Sequence, residues 1–296
     1  MRVIGSMLIS TALFVVFLIL NKNGCTVGSS LAEIFLGISL PNLWMRLQDV
    51  TDNTNWKASQ RRLVRGGFIK DNTIIRISFS YLYRIKIDNK YFLVLNSRNT
   101  GKYQPVGGVY KFKPHEKNVL DNKYHVIDDD KISIDNSSRD DYRLQLKNRY
   151  LRSFLRRFDS KAAMRERIDN ASREFKEELI DTGILSWTKL KYRICGRHIA
   201  EIKYSDHFQI YELLLADIVE VIPTLDQGNE LRDLMGAANS QFKFVTADII
   251  KSLGINTASG DLKETIADHT IKILQETEDE LLPIPGAEKK SYFVTL

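Results

Sequence analysis

Residues 171–184, ASREFKEELIDTGI, decide how the rest of the chain is read. Within them Arg173-Glu174-Phe175-Lys176-Glu177-Glu178 sets carboxylates three and four places apart. On a helix such side chains leave one face, a turn apart. Three like charges so close repel, and the helix gains if a divalent cation sits among them. Mg2+ suits the pattern, because it takes one or two carboxylates, phosphate oxygens of a substrate and some retained water. Glutamates on a short helix are nevertheless more often a solvated face than a metal site, so the flanking sequence has to decide.

A glycine turn, Gln104-Pro105-Val106-Gly107-Gly108-Val109, follows two apolar strands upstream, and Gly183-Ile184 follows the helix. Together these stretches resemble the two halves of the Nudix box, G-x5-E-x7-R-E-U-x-E-E-x-G-U, where U is apolar. There are departures. Gly108 and Arg173 lie sixty-five positions apart where the pattern needs fourteen. The isolated Glu of the pattern falls on Arg165, with Glu166 one place off, and three extra residues precede Gly183. The helical half is kept and the first half is remodelled.

A narrower likeness comes from Phe158-Asp159-Ser160 and Arg165-Glu166, which precede Arg173, Glu174, Phe175, Glu177, Glu178 and Leu179. This layout resembles the SMODS-associated Nudix branch found in bacterial cyclic-nucleotide antiphage (CBASS) operons, and it covers roughly residues 73–275. The resemblance implies an α/β fold, a Nudix-like α/β/α sandwich with a mixed sheet. It implies that Glu177 and Glu178 are metal ligands and that Glu174 is a third ligand or the base that activates water. Arg173 would orient these carboxylates by ion pairing, Gly107 and Gly108 would let backbone approach the helix, and Mg2+ would be the cofactor. In that branch the expected ligand is a cyclic oligonucleotide second messenger made by a CD-NTase partner. Binding would gather chains into a homo-oligomer whose membrane helices disrupt the inner membrane. The alternative is a membrane-tethered, Mg2+-dependent hydrolase of a nucleoside diphosphate derivative.

Composition agrees with an anionic ligand. The chain has 296 residues, 43% apolar and 27% charged, with a net charge of +6. Those values are globular, and the basic excess favours phosphates, nucleotides or acidic lipid. So mild an excess does not argue for DNA. Two cysteines, Cys25 and Cys195, and five histidines without ligand spacing leave no zinc site and no disulfide framework. Arg197 and Lys203 are candidates for phosphate contact, as are Arg149, Arg152, Arg156 and Arg157, whose plainer role is a solvated helix face.

The N-terminus carries an eighteen-residue uncharged run from Val3 to Leu20 and a weaker apolar stretch, Val27–Met45, holding Glu33 and Pro41-Asn42. Eighteen residues are about the minimum for a span. With Lys57, Arg61, Arg62 and Arg65 following, the expectation is a two-helix transmembrane hairpin with both ends in the cytoplasm. It is preferred over a single anchor and over a signal peptide, since the positive n-region would be Arg2 alone. An oligomer would place Glu33 in a ring lining a pore. The expected organisation is therefore a hairpin over 1–46, a juxtamembrane linker over 47–72, a Nudix-like domain over 73–280 and a flexible tail over 281–296. The domain carries an insertion at about 113–165.

Between these landmarks, Ile75–Ile87 alternates apolar and polar residues and predicts a half-buried strand, with Tyr91–Leu95 returning as its hairpin partner. Helices are predicted around Leu151–Phe158, Ile249–Leu253 and Asp261–Gln275. Further strands are predicted over Lys189–Lys203, His207–Asp217 and Phe242–Thr246.

Overall fold

A computed structural model describes residues 2–51, 55–96, 100–132, 138–237, 239–255, 260, 262, 265–274, 281–288 and 290–296. The chain divides into two compact units, Met1–Arg62 and Leu63–Leu296.

In the first unit α1 (Arg2–Lys22) and α2 (Thr26–Thr51) form a helical hairpin, and α3 (Asn55–Arg65) begins beyond it. Gly24, at φ +70°, makes the turn, and Cys25 N–H donates to Leu20 O at 3.0 Å. Ser10, Ala32 and Leu36 are buried, while Phe14, Ile34, Phe35 and Trp44 stay exposed. Pro41 lies inside α2 and does not break it. The hairpin stands, but the membrane crossing does not. Among the described residues no helix is long and apolar enough to cross a membrane. Gly5, Ser10 and Thr11 interrupt α1, and Ser29, Ser30, Glu33 and Ser39 interrupt α2. The expected inner-membrane localisation falls with that finding. The supposed linker over 47–72 is also largely helical, through the end of α2 and through α3.

The second unit opens with β1 (Ile74–Arg84), β2 (Lys86–Ile87), β3 (Lys90–Leu95), β4 (Tyr103–Gln104) and β5 (Gly107–Val109). Next come α4 (Pro114–Val119), β6 (Ile127–Asp128), β7 (Arg143–Lys147), α5 (Leu151–Asp159) and α6 (Arg173–Phe175). The remainder is β8 (Lys189–Ile199), β9 (Lys203–Ser205), β10 (Ile210–Val221), α7 (Leu225–Met235), β11 (Phe242–Val245), α8 (Ala247–Lys251) and β12 (Ser291–Thr295).

The larger sheet runs β12-β8-β10-β1-β7-β6, with β5 also on β1 and β9 on β10. β1 and β10 are parallel and the other pairs antiparallel, so the sheet is mixed as expected. A smaller sheet, β11-β3-β2 with β4 on β3, stands apart from it. The predicted hairpin is real but belongs to the smaller sheet. Asp88 and Asn89, at φ +45° and +63°, make a two-residue turn between β2 and β3.

Central to the unit is β1, whose two faces serve different purposes. Ile75, Ile77, Phe79, Tyr81 and Tyr83 are fully buried on one face. Phe79 meets Phe158 edge-on at 4.8 Å between ring centres, and Tyr83 meets Phe175 at 5.3 Å. These contacts seat α5 and the motif helix on that face. α5 buries Leu151, Phe154, Leu155 and Phe158, a stripe at helical spacing. The opposite face carries Arg76, Ser78, Ser80, Leu82 and Arg84. There Leu82 joins a second core with Leu93, Tyr103, Ile218, Ile266 and Ile273.

The C-terminal segment departs from expectation. Ser291–Thr295 pairs with β8 as an edge strand, and Tyr292 stacks on Tyr192 at 5.8 Å, so this part of 281–296 is sheet and not a tail. The predicted helix over 261–275 lies partly outside the described residues. Its described portion is a 3-10 helix, Asp268–Leu274.

Candidate functional site

Sixty-five residues of sequence separate the glycine turn from the motif helix, and the fold removes that distance. The inserted segment leaves and returns at one place: Phe112 bridges Arg165, Lys113 N–H donates to Met164 O at 2.9 Å, and Glu166 N–H donates to Lys111 O at 2.8 Å. Glu116, fully buried in α4, reinforces the closure by accepting from Arg157 Nε at 2.8 Å and from Met164 N–H at 2.8 Å. Of the four arginines considered for phosphate, Arg157 is thereby committed to the scaffold.

With the insertion closed, β5 lies against the motif helix. Gly107 N–H donates to Glu178 Oε2 at 3.1 Å. Gly107 tolerates no side chain, and one on Gly108 would require Glu174 to move. Gly107 has φ +146°, and a Cβ there would stand 2.3 Å from Tyr81 O; a Cβ on Gly108 would stand 1.9 Å from Glu174 Oε1. Backbone approach to the carboxylate helix is therefore literal at this turn.

Glu166, one place out of register in sequence, proves well placed in space. Its carboxylate accepts from Tyr81 OH at 3.0 Å, from Lys111 N–H at 3.3 Å and from Arg173 Nη2 at 3.2 Å. Arg173 also donates to Glu174 Oε1 at 2.6 Å, to Glu177 Oε2 at 3.4 Å and to Val109 O at 3.0 Å. One guanidinium thus ties β5, Glu166 and the motif helix together, the bidentate, multi-partner use for which arginine is suited. Arg165 turns the other way and lies over Phe158 at 3.7 Å.

The motif helix is not a plain α-helix. After Arg173–Phe175 the chain passes into a π-helical stretch, Lys176–Ile180, where Asp181 N–H donates to Lys176 O at 2.9 Å, five residues back. A helix with i→i+5 bonds carries more residues per turn. An offset of four then comes closer to a full turn, and an offset of three falls short. Glu178 accordingly stays on the side of Glu174, while Glu177 swings out and is half exposed. The glutamates line a shared pocket of about 500 Å3 with Gly107, Gly108 and Arg173. Yet among the described residues no three Asp, Glu, His or Cys side chains gather closely enough to hold a metal ion.

Electrostatics sharpen the picture. Burial pushes the Glu178 carboxyl up to about 8, and the charge of Glu174 adds to it, against the opposing pull of the Gly107 N–H. Burial also raises Glu174, with Arg173 resisting. Two carboxylates that hinder each other's ionisation in one pocket fit a hard divalent cation as donors.

Arg197 is not brought to this pocket. It is 4% exposed, its Nε donates to Asp217 Oδ1 at 2.6 Å, and its Nη1 donates to Asp159 Oδ1 at 2.6 Å. Tyr110 OH completes the cluster by donating to Asp217 Oδ2 at 2.7 Å. Asp217 lies on the aromatic face beside Tyr81, and a carboxylate buried there needs such partners. The pocket instead includes residues that the sequence did not single out, among them Ser78, Arg143 and Lys272, together with Gln104 and His269. The available signal was the spacing of three between His269 and Lys272.

Comparison with known proteins places this geometry in a family. The family model for the SMODS-associated NUDIX domain matches residues 74–274. Neither the curated proteins nor the solved structures give a match.

Proposed function

Because the chain belongs to the SMODS-associated NUDIX domain family, we propose that its pocket binds a phosphate-bearing nucleotide as the input of a CBASS-like effector. SMODS association points to a CD-NTase-linked system with cyclic-oligonucleotide signalling. The ligand is then the cyclic oligonucleotide, the CD-NTase supplies it, and binding brings chains together as a homo-oligomer.

One observation favours binding over turnover. Glu177 is half exposed, whereas Glu174 and Glu178 are held by Arg173 and by the Gly107 N–H, which leaves two firmly positioned carboxylates where hydrolysis calls for a fuller set. Glu174 and Glu178 would hold a Mg2+ ion, which would supply positive charge against phosphoryl oxygens. The chain's own part is positional. Arg173 fixes Glu174, the Gly107 N–H fixes Glu178, Glu166 anchors Arg173, and Gly108 leaves room for Glu174.

A second reading has its own support. A carboxyl pushed up to about 8 exchanges its proton near neutral pH, as a general base or acid must. Mg2+-dependent hydrolysis of a nucleoside diphosphate derivative is therefore the alternative.

Titration calorimetry of the full chain with cyclic di-AMP and ADP-ribose in Mg2+, followed by 31P NMR of the same samples, tests both. Binding of the cyclic dinucleotide with its phosphodiesters intact is the expected result. Conversion of ADP-ribose that disappears in Glu178→Gln would establish the hydrolase instead. Absence of both binding and conversion would sink the nucleotide assignment.

A further inference from the structure

The pocket has a second chemistry, supplied by the 3-10 helix Asp268–Leu274. In such a helix residues three apart eclipse one another, so His269 and Lys272 face the same way, and both line the pocket. The helix is held firmly in place. Arg84 Nε donates to Ile273 O at 2.6 Å, Ala267 N–H donates to Tyr103 O at 2.9 Å, and Thr270 and Ile273 are fully buried. Lys272 is thus presented by a pinned element and not by a wandering loop.

Among the described residues Lys272 has no counterion in contact with it, and the carboxylate that acts on it electrostatically is Glu212. Glu212 is itself committed to Arg76 Nη1 at 2.9 Å. Burial lowers the Lys272 amine accordingly. His269 and His198 are each lowered to about 4, by burial first and by Lys272 next. Both imidazoles are therefore neutral at pH 7 and the charge of the cluster rests on Lys272. A half-buried ammonium with no partner among the described residues is costly, and an anion entering the pocket would supply one. Ser78 and Ser80 of β1 also line the pocket, and among the described residues it is Ser80 whose hydroxyl is already engaged, donating to Leu215 O at 3.0 Å.

We propose that Lys272 and His269, with the Ser78 hydroxyl, form an anion subsite that receives a phosphate of the ligand in the same pocket as the glutamates. The assignment of that phosphate to a nucleotide rests on the function proposed above. A ligand with two phosphates would then be held at two chemically different points, one through the carboxylates and a cation, the other directly by Lys272. Its orientation in the pocket follows from that difference.

The test uses the full chain, inorganic pyrophosphate and 31P NMR titration in EDTA. Without a divalent cation the glutamates can only repel the probe, and the variants separate the Lys272 cluster from Arg143 and Arg173, which line the same pocket. Wild type is expected to bind, Lys272→Arg to bind within about threefold, and Lys272→Met to bind about tenfold more weakly or worse. His269→Phe is expected to weaken binding severalfold, and it serves as the second variant. Lys272→Met should melt no lower than wild type, because it fills the space without burying a charge. Wild type that fails to bind pyrophosphate, or Lys272→Met that binds as wild type does, overturns the subsite. Pyrophosphate binding by a chain that binds no nucleotide in Mg2+ would leave the subsite standing and remove the nucleotide reading alone.

Discussion

Glu178 shows how much of this site is decided by one side chain's surroundings. Its carboxyl rises from 4.5 to about 8, so between those pH values the folded chain holds a proton that the unfolded chain has released. Stability from this group is complete below 4.5 and is lost as pH rises through about 8. A tenfold change in an acid's dissociation constant is worth about 1.4 kcal/mol. Even heavily discounted for relaxation of the site, Glu178→Gln should be the more stable protein at pH 8.5 by about 2 kcal/mol, and level with wild type near pH 4.5. Urea unfolding across that range measures it, and parallel curves for the two proteins would count against the assignment. Mg2+ should narrow the gap by stabilising wild type and not the variant. Arg197 teaches the opposite lesson. Its positive charge reads as a phosphate contact in sequence, but its partner Asp217 arrives from another strand, and no local pattern announces that.

At the scale of elements, the glycine turn and the motif helix behave as one piece. Ala in place of Gly108 would drive a methyl into the Glu174 carboxylate, which Arg173 holds in place. Gly108→Ala should therefore cost about 1–3 kcal/mol in chemical denaturation and abolish Mg2+-dependent nucleotide binding by calorimetry. Binding left intact would mean that Glu174 is free to move aside. Both halves of this piece were legible in the sequence, through Gly107-Gly108 and Arg173-Glu174-Phe175-Lys176-Glu177-Glu178, as was the period-two pattern of β1. The π-helical turn was not, because i→i+5 bonding reflects how the helix end is packed and has no residue signature of its own. α7 could have been seen: Thr224 and Gln227 form a reciprocal capping box, a pattern with a known spacing. The role of His269 and Lys272 was hidden because their spacing of three carries meaning only once the segment is known to be a 3-10 helix.

For the whole molecule, the larger sheet depends on its last strand. β12 covers the outer edge of β8, buries Val294 and stacks Tyr292 on Tyr192. Removing residues 291–296 should cost about 2–3 kcal/mol from lost apolar burial and bare the hydrogen-bonding edge of β8. Concentration-dependent association in size-exclusion chromatography is the expected sign, and an unchanged monodisperse peak would argue that the edge is otherwise protected. The closed insertion has a further consequence, this time in time and not in space. Closing a long loop adds only slowly to its entropic cost, so roughly fifty extra residues are tolerable in the finished protein. Along the folding route they matter more. The Gly107–Glu178 contact spans the whole 113–165 segment, whose ends meet at Lys111 and Glu166. Contacts so distant along the chain form slowly, and the pocket that rests on them is expected late as the protein folds.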